Sequence, residues 1–119
     1  MNETTLGAAE SKFADIIWEN EPLSSSELSK LSEQQLGWKK TTSFTVLKRL
    51  CNKGLFQNEK GTVTSLVSRD DFYSRQSAQY VEENFHGSLP AFIAAFTKNK
   101  SLSAEEVTAL KRLIDEFEE

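Results

Sequence analysis

The chain has one cysteine, one histidine and two prolines in 119 residues, and no apolar run near the roughly 18 residues that a membrane span needs. A single thiol, Cys51, excludes an intrachain disulfide framework and cannot by itself supply a structural zinc site. The single histidine, His86, sits beside Gly87 at an expected helix break, where it reads as a surface or capping residue. There is no phosphate-binding glycine loop and no ligand cluster with metal spacing. Glu82 with Glu83, Glu105 with Glu106, and Glu118 with Glu119 read as solvated faces and helix ends. Asp70 and Asp71 fall in a first helical turn, where anions are favoured in any protein. Without convergent acid, base or nucleophile groups, the expectation is no enzyme, no cofactor and no metal. The N-terminus, MNETTLGAAE, carries acid where a signal or transit peptide carries base, so the reading is a cytoplasmic protein without membrane insertion.

What is present is charge with an uneven distribution. The formal net charge is -4, which taken whole argues against nucleic acid. Residues 37–60, however, hold six bases (Lys39, Lys40, Lys48, Arg49, Lys53, Lys60) against one acid, Glu59, while both flanking segments are acidic. Such a segment presents a basic face on an acidic protein, or is a solvated run with no partner.

Apolar spacing gives the elements. Leu6, Ala9, Phe13, Ile16 and Ile17 recur at three- and four-residue steps and predict a helix over 6–18, capped by Thr4 or Thr5. Pro22 ends it. Ser24 with Glu27 has capping-box spacing and opens a short second helix that turns Leu28 and Leu31 inward, fading at Glu33-Gln34-Gln35. Gly37 permits a turn, with Trp38 as an apolar plug beside it. A third helix runs from Thr41 or Thr42 to Asn52, with Phe44, Leu47, Leu50 and Cys51 on one side and Lys40, Ser43, Thr45, Lys48, Arg49 and Asn52 over the rest. On this register Cys51 is a small core or near-core residue rather than a reactive thiol. Gly54 stops the helix, and Leu55-Phe56 and Val63 to Val67 read as two strands joined through Glu59-Lys60-Gly61. Ser68 with Asp71 opens a long helix over 69–85. Ser88 to Phe96 is a short apolar helix with Pro90 in its first turn, Thr97 to Lys100 is polar and exposed, and Ser103 with Glu106 starts a last helix whose stripe is Val107, Leu110, Leu113, Ile114 and Phe117.

Three helices and a small β-hairpin outline a mainly α fold, a winged helix-turn-helix domain over 1–68, with a helical segment over 69–119. The third helix is the one that carries the positive charge, which favours DNA, although a basic helix face serves an acidic protein partner as well. The tail holds too little apolar surface for a core of its own. A two-fold homodimer solves this, with Tyr80, Phe85, Phe92, Ile93, Phe96, Leu110, Leu113, Ile114 and Phe117 as its contact residues.

The sequence also resembles the penicillinase and methicillin-resistance repressors and their copper-responsive relatives. The likeness begins at Leu6, Ala9, Glu10 and Trp18 and continues through Trp38, Thr42, Thr45, Leu47, Arg49, Leu50, Lys53 and Gly54. It extends over Leu66-Val67-Ser68-Arg69 and Asp70-Asp71-Phe72, then Phe85, Gly87-Ser88, Phe96, Leu102-Ser103 and Glu105-Glu106. The resemblance implies a homodimeric repressor on an inverted-repeat operator in double-stranded DNA, read by the third helix; the alternatives are a DNA-binding activator, which shares the fold and differs only in the consequence of binding, and a winged-helix protein-interaction or adaptor module. Thr42, Thr45 and Arg49 are then the matched contacts, with Lys40, Thr41, Ser43, Lys48 and Lys60 beside them. The alternative for Arg49 and Thr42 is a hydrogen-bonding role inside the domain, and Trp38 packs the turn. The family usually has lysine at the place of Thr41 and an aliphatic residue at that of Ser43. Its hairpin is about three residues longer than Thr62-Val63-Thr64-Ser65 allows, which implies a shortened wing. In antibiotic-responsive members a membrane sensor protease triggers cleavage of an asparagine-phenylalanine bond; here the pair is Ala95-Phe96. The four C-terminal cysteines of the copper-responsive relatives are absent.

Overall fold

Apolar residues at helical spacing, punctuated by Pro22, Gly37 and Gly54, become three helices that enclose the core. The computed structural model describes residues 6–117. Helix α1, Ala8–Asn20, buries Phe13, Ala14, Ile16 and Ile17. Ala9, expected on that stripe, is exposed because it lies in the first turn, a helical turn before the core begins at Phe13. The expected caps Thr4 and Thr5 lie outside the described residues. The N-cap is Gly7, whose N–H donates to Glu10 Oε1 at 3.2 Å.

Helix α2, Ser25–Leu36, opens on the expected capping box: Ser24 Oγ accepts from the Glu27 N–H at 3.0 Å and Glu27 Oε1 accepts from the Ser24 N–H at 3.2 Å. It is longer than the fading pattern suggested. Ser32 is fully buried with its hydroxyl donating to the Leu28 carbonyl at 2.8 Å, so a serine occupies a core position that apolar spacing does not register. Leu36 adds a further contact to the core, and Gly37, at φ +70°, ends the helix in the left-handed region. Trp38 stacks on Phe13 with ring centroids 5.3 Å apart, plugging the turn into helix α3, Lys40–Asn52.

The hairpin is β2, Phe56–Glu59, paired antiparallel with β3, Thr62–Ser65. Glu59 faces Thr62, which leaves Lys60 and Gly61 as a two-residue turn with φ +52° and +86°, the signs a type I′ hairpin requires. A third strand went unforeseen. Residues Leu23–Ser24 form β1 on the free edge of β3, giving the order β1-β3-β2. Two residues are too few to show a period. The hairpin is further tied to the start of α2, since the Ser25 N–H donates to the Gly61 carbonyl at 2.8 Å. Glu21 accepts from both the N–H and the hydroxyl of Ser65. The result is a winged helix-turn-helix with its core between α1, α2, α3 and the sheet.

Helix α4, Arg69–Phe85, starts where Ser68 Oγ accepts from the Asp71 N–H at 3.1 Å. Its Phe72 is buried beside Trp18, whose indole N–H donates to the Val67 carbonyl at 3.0 Å. These contacts attach the opening turns of α4 to the winged domain, and the chain divides into compact units after Gln76, later than the boundary at Ser68 read from the sequence.

In the second unit His86 (φ +52°) and Gly87 (φ +78°) break the chain before helix α5, Leu89–Asn99, capped by Ser88. The short apolar helix read as ending at Phe96 runs on through Thr97, Lys98 and Asn99, with the Thr97 hydroxyl donating to the Ile93 carbonyl at 2.9 Å. Helix α6, Ala104–Asp115, has the Ser103–Glu106 capping box in place. No described residue of α5 or α6 is buried.

Candidate nucleic-acid interface

The rotation of α3 about its axis decides which side chains reach a partner. Its inward stripe is Ser43, Val46, Leu47 and Leu50, each no more than 7% exposed. These are steps of three, one and three residues, one face of a helix. Lys40, Thr41, Thr42, Phe44, Thr45, Lys48, Arg49 and Asn52 are exposed. The face contains no acidic residue and its first turn has none to repel a phosphate.

Two of the expected positions change. Ser43, expected as a DNA contact, is 1% exposed and faces the core, where its Oγ has no hydrogen-bond partner. It is therefore withdrawn from the contact set. An unpartnered buried hydroxyl costs stability without return, so Ser43→Ala should raise the stability of the protein by about 1 kcal/mol in urea denaturation and leave DNA affinity unchanged. A loss of affinity with intact folding would return Ser43 to the interface. Phe44, expected inward, is exposed at 36%, with the ammonium of Lys40 5.6 Å from its ring centroid. The sequence pattern favoured Phe44 over Ser43 on hydrophobicity alone. Val46 was the discriminating residue, since 43, 46, 47 and 50 form one stripe and 44 cannot join it.

Of the two roles open for Arg49, the intradomain hydrogen bond is present. Its side chain is about half exposed, and Nη1 binds Glu10 Oε2 of α1 at 3.0 Å, while Lys53 Nζ lies 4.0 Å from Glu10 Oε1. Burial pushes the Glu10 carboxyl up, but the Gly7 N–H and the Arg49 and Lys53 charges outweigh it and hold the group below the usual carboxylate range. Glu10 thus stays ionised at neutral pH and fixes one edge of the guanidinium, a group with further N–H donors to offer. Thr42, Thr45 and Arg49 line a shallow concavity with Thr41 and Val46. The Thr45 hydroxyl donates to the Thr41 carbonyl at 2.9 Å, which turns its lone pairs outward as acceptors. Lys60 is exposed at the tip of the hairpin. Cys51 is half-buried and its thiol is pushed up by burial, the behaviour of a packing residue.

The second unit carries the other expected set. Tyr80, Phe85, Phe92 and Phe96 form a chain of aromatic contacts with centroids 5.5 to 6.2 Å apart. Phe92, Ile93, Phe96, Leu110 and Leu113 line an apolar groove between α5 and α6. Leu113, Ile114 and Phe117 are 51%, 56% and 81% exposed. Among the described residues no group of acids, histidine and cysteine could hold a metal, and no helix is long and apolar enough to cross a membrane.

The profile of the family described as penicillinase repressor matches residues 6–116. The penicillinase repressor of Bacillus licheniformis is 27% identical over 112 residues, covering 91% of this chain and 88% of that protein. The methicillin resistance regulatory protein MecI of Staphylococcus aureus (strain Mu50 / ATCC 700699) is 24% identical over 114 residues, covering 92% and 93%. MecI of Mammaliicoccus sciuri is 23% identical over the same length, with the same coverage. The chain belongs to the penicillinase repressor family, whose members are winged-helix transcriptional regulators and not enzymes.

Proposed function

We propose that the protein is a cytoplasmic transcriptional repressor that binds as a homodimer to an inverted-repeat operator in double-stranded DNA, with α3 in the major groove. The observation that carries this reading is the outward face of α3, where Lys40, Thr41, Thr42, Thr45, Lys48 and Arg49 stand together without an acid. Long cations neutralise phosphates and position the protein, while hydroxyls and the guanidinium reach base edges. Relatives named as a penicillinase repressor and a methicillin resistance regulatory protein support repression as the outcome of binding. One recognition helix per protomer requires two protomers for a two-fold site. The apolar groove of α5 and α6 supplies a surface for that pairing.

The protein is a divergent member with a shortened wing. Its hairpin strands are four residues each and only Lys60 brings a positive charge to the tip. Lys60 therefore makes one phosphate contact where a longer wing would make several. The Ala95–Phe96 bond lies inside α5, so a membrane sensor protease acting there would need that helix to unwind first.

The test is fluorescence anisotropy on the fragment upstream of the protein's own gene, with an unrelated fragment as control and salt varied tenfold. Selective binding with two protomers per site and a steep salt slope is expected. Arg49→Ala should weaken binding by about tenfold and lower the slope by about one. A variant that loses thermal stability but keeps both values would assign Arg49 to the Glu10 pair alone. Equal, feeble binding to both fragments would instead favour an acidic protein partner for α3.

A further inference from the structure

We propose that Phe44 is a specificity-determining residue that reads the 5-methyl groups of thymine. This rests on the reading of α3 as the helix that enters the major groove. Phe44 is the one aromatic side chain on the outward face of α3, and the residue is 36% exposed while the inward residues beside it are closed off. Side chains three and four positions apart are neighbours on a helix, so the ring is flanked by Thr41 and by the two lysines, Lys40 and Lys48. Lys40 already sits over the ring face at 5.6 Å.

This setting selects the occupant by chemistry. The two cations draw the ring against a polyanion. A phenyl ring offers no hydrogen bond to a base edge, and the apolar feature presented in the major groove is the thymine methyl. The α3 face thus combines hydrogen-bonding readers, Thr42, Thr45 and Arg49, on one flank with an apolar reader on the other. A preference for thymine at a fixed place in each half-site follows.

The experiment uses the full-length protein and the fragment upstream of its gene, made once with thymidine and once with deoxyuridine at every thymidine position. The substitution deletes only methyl groups. Wild type should bind the deoxyuridine fragment about fourfold more weakly for each methyl buried, about sixteenfold for a two-fold site. Phe44→Ala should bind the two fragments equally, and Phe44→Leu, which keeps an apolar side chain, should retain part of the difference. Wild type indifferent to the methyl groups, or Phe44→Ala losing as much as wild type, overturns the proposal while leaving DNA binding intact. Absence of salt-dependent binding to the thymidine fragment overturns the DNA reading itself, and Phe44 with it.

Discussion

Phe13→Ala should destabilise the winged domain by about 3–5 kcal/mol, the range for emptying a large aromatic site in a core that cannot collapse around it. Phe13 has no exposed surface, and its ring stacks on Trp38 at 5.3 Å with the planes 25° apart. The loss is therefore double. The transfer energy of the ring goes, and Trp38, which plugs the turn between α2 and α3, loses the surface on which it sits. Small domains are stable by about 5–15 kcal/mol in total, so the loss removes a large share of the stability and, at the low end of that range, leaves the variant partly unfolded at ambient temperature. Urea denaturation followed by tryptophan fluorescence measures this directly, since Trp38 and Trp18 both report on the core. Leu66→Ala is the control: Leu66 is 55% exposed, and its truncation should cost little. Equal, small effects from both variants would mean that the α1 core tolerates a void, and that the orientation of α3 does not depend on the stack.

The ends of the helices were legible because capping is local. Ser24 with Glu27, Ser68 with Asp71, and Ser103 with Glu106 each form the short-range bonds that their three-residue spacing announces. The turn at Lys60-Gly61 was legible for the same reason. Strand β1 was not, because Leu23 is held by Val63, a partner far along the chain, and nothing in two residues signals it. The rotation of α3 was half legible. Leu47 and Leu50 gave the stripe, but Phe44 and Ser43 competed for the next place, and a serine took it because Val46 and the packing of α3 on α2 and β2 fix the axis. Tertiary contact overrode side-chain hydrophobicity there. The same effect explains α2, where buried Ser32 extends a helix past the point where apolar residues stop. At the interface the residue types were readable, while the Arg49–Glu10 pair was not, since it joins two helices.

On the proposed homodimer, Leu113→Glu should give a monomer in sedimentation at micromolar concentration and weaken operator binding by on the order of a hundredfold or more, because two linked recognition helices would become two separate ones. Leu113 lies on the groove of α5 and α6 and is 51% exposed in the single chain, so a carboxylate there is solvated and leaves the protomer intact. In a dimer formed through this groove the same carboxylate would be desolvated against apolar residues of the other copy, and two-fold symmetry would impose that cost twice. Circular dichroism should thus stay unchanged while the mass halves. The salt slope separates the two consequences: each remaining protomer should neutralise half the phosphates, and the slope should fall by about half. A variant that remains dimeric would place the pairing surface away from this groove. One that becomes monomeric yet binds the operator as before would mean that a single α3 supplies the whole affinity, and that the two-fold site is not what the protein reads.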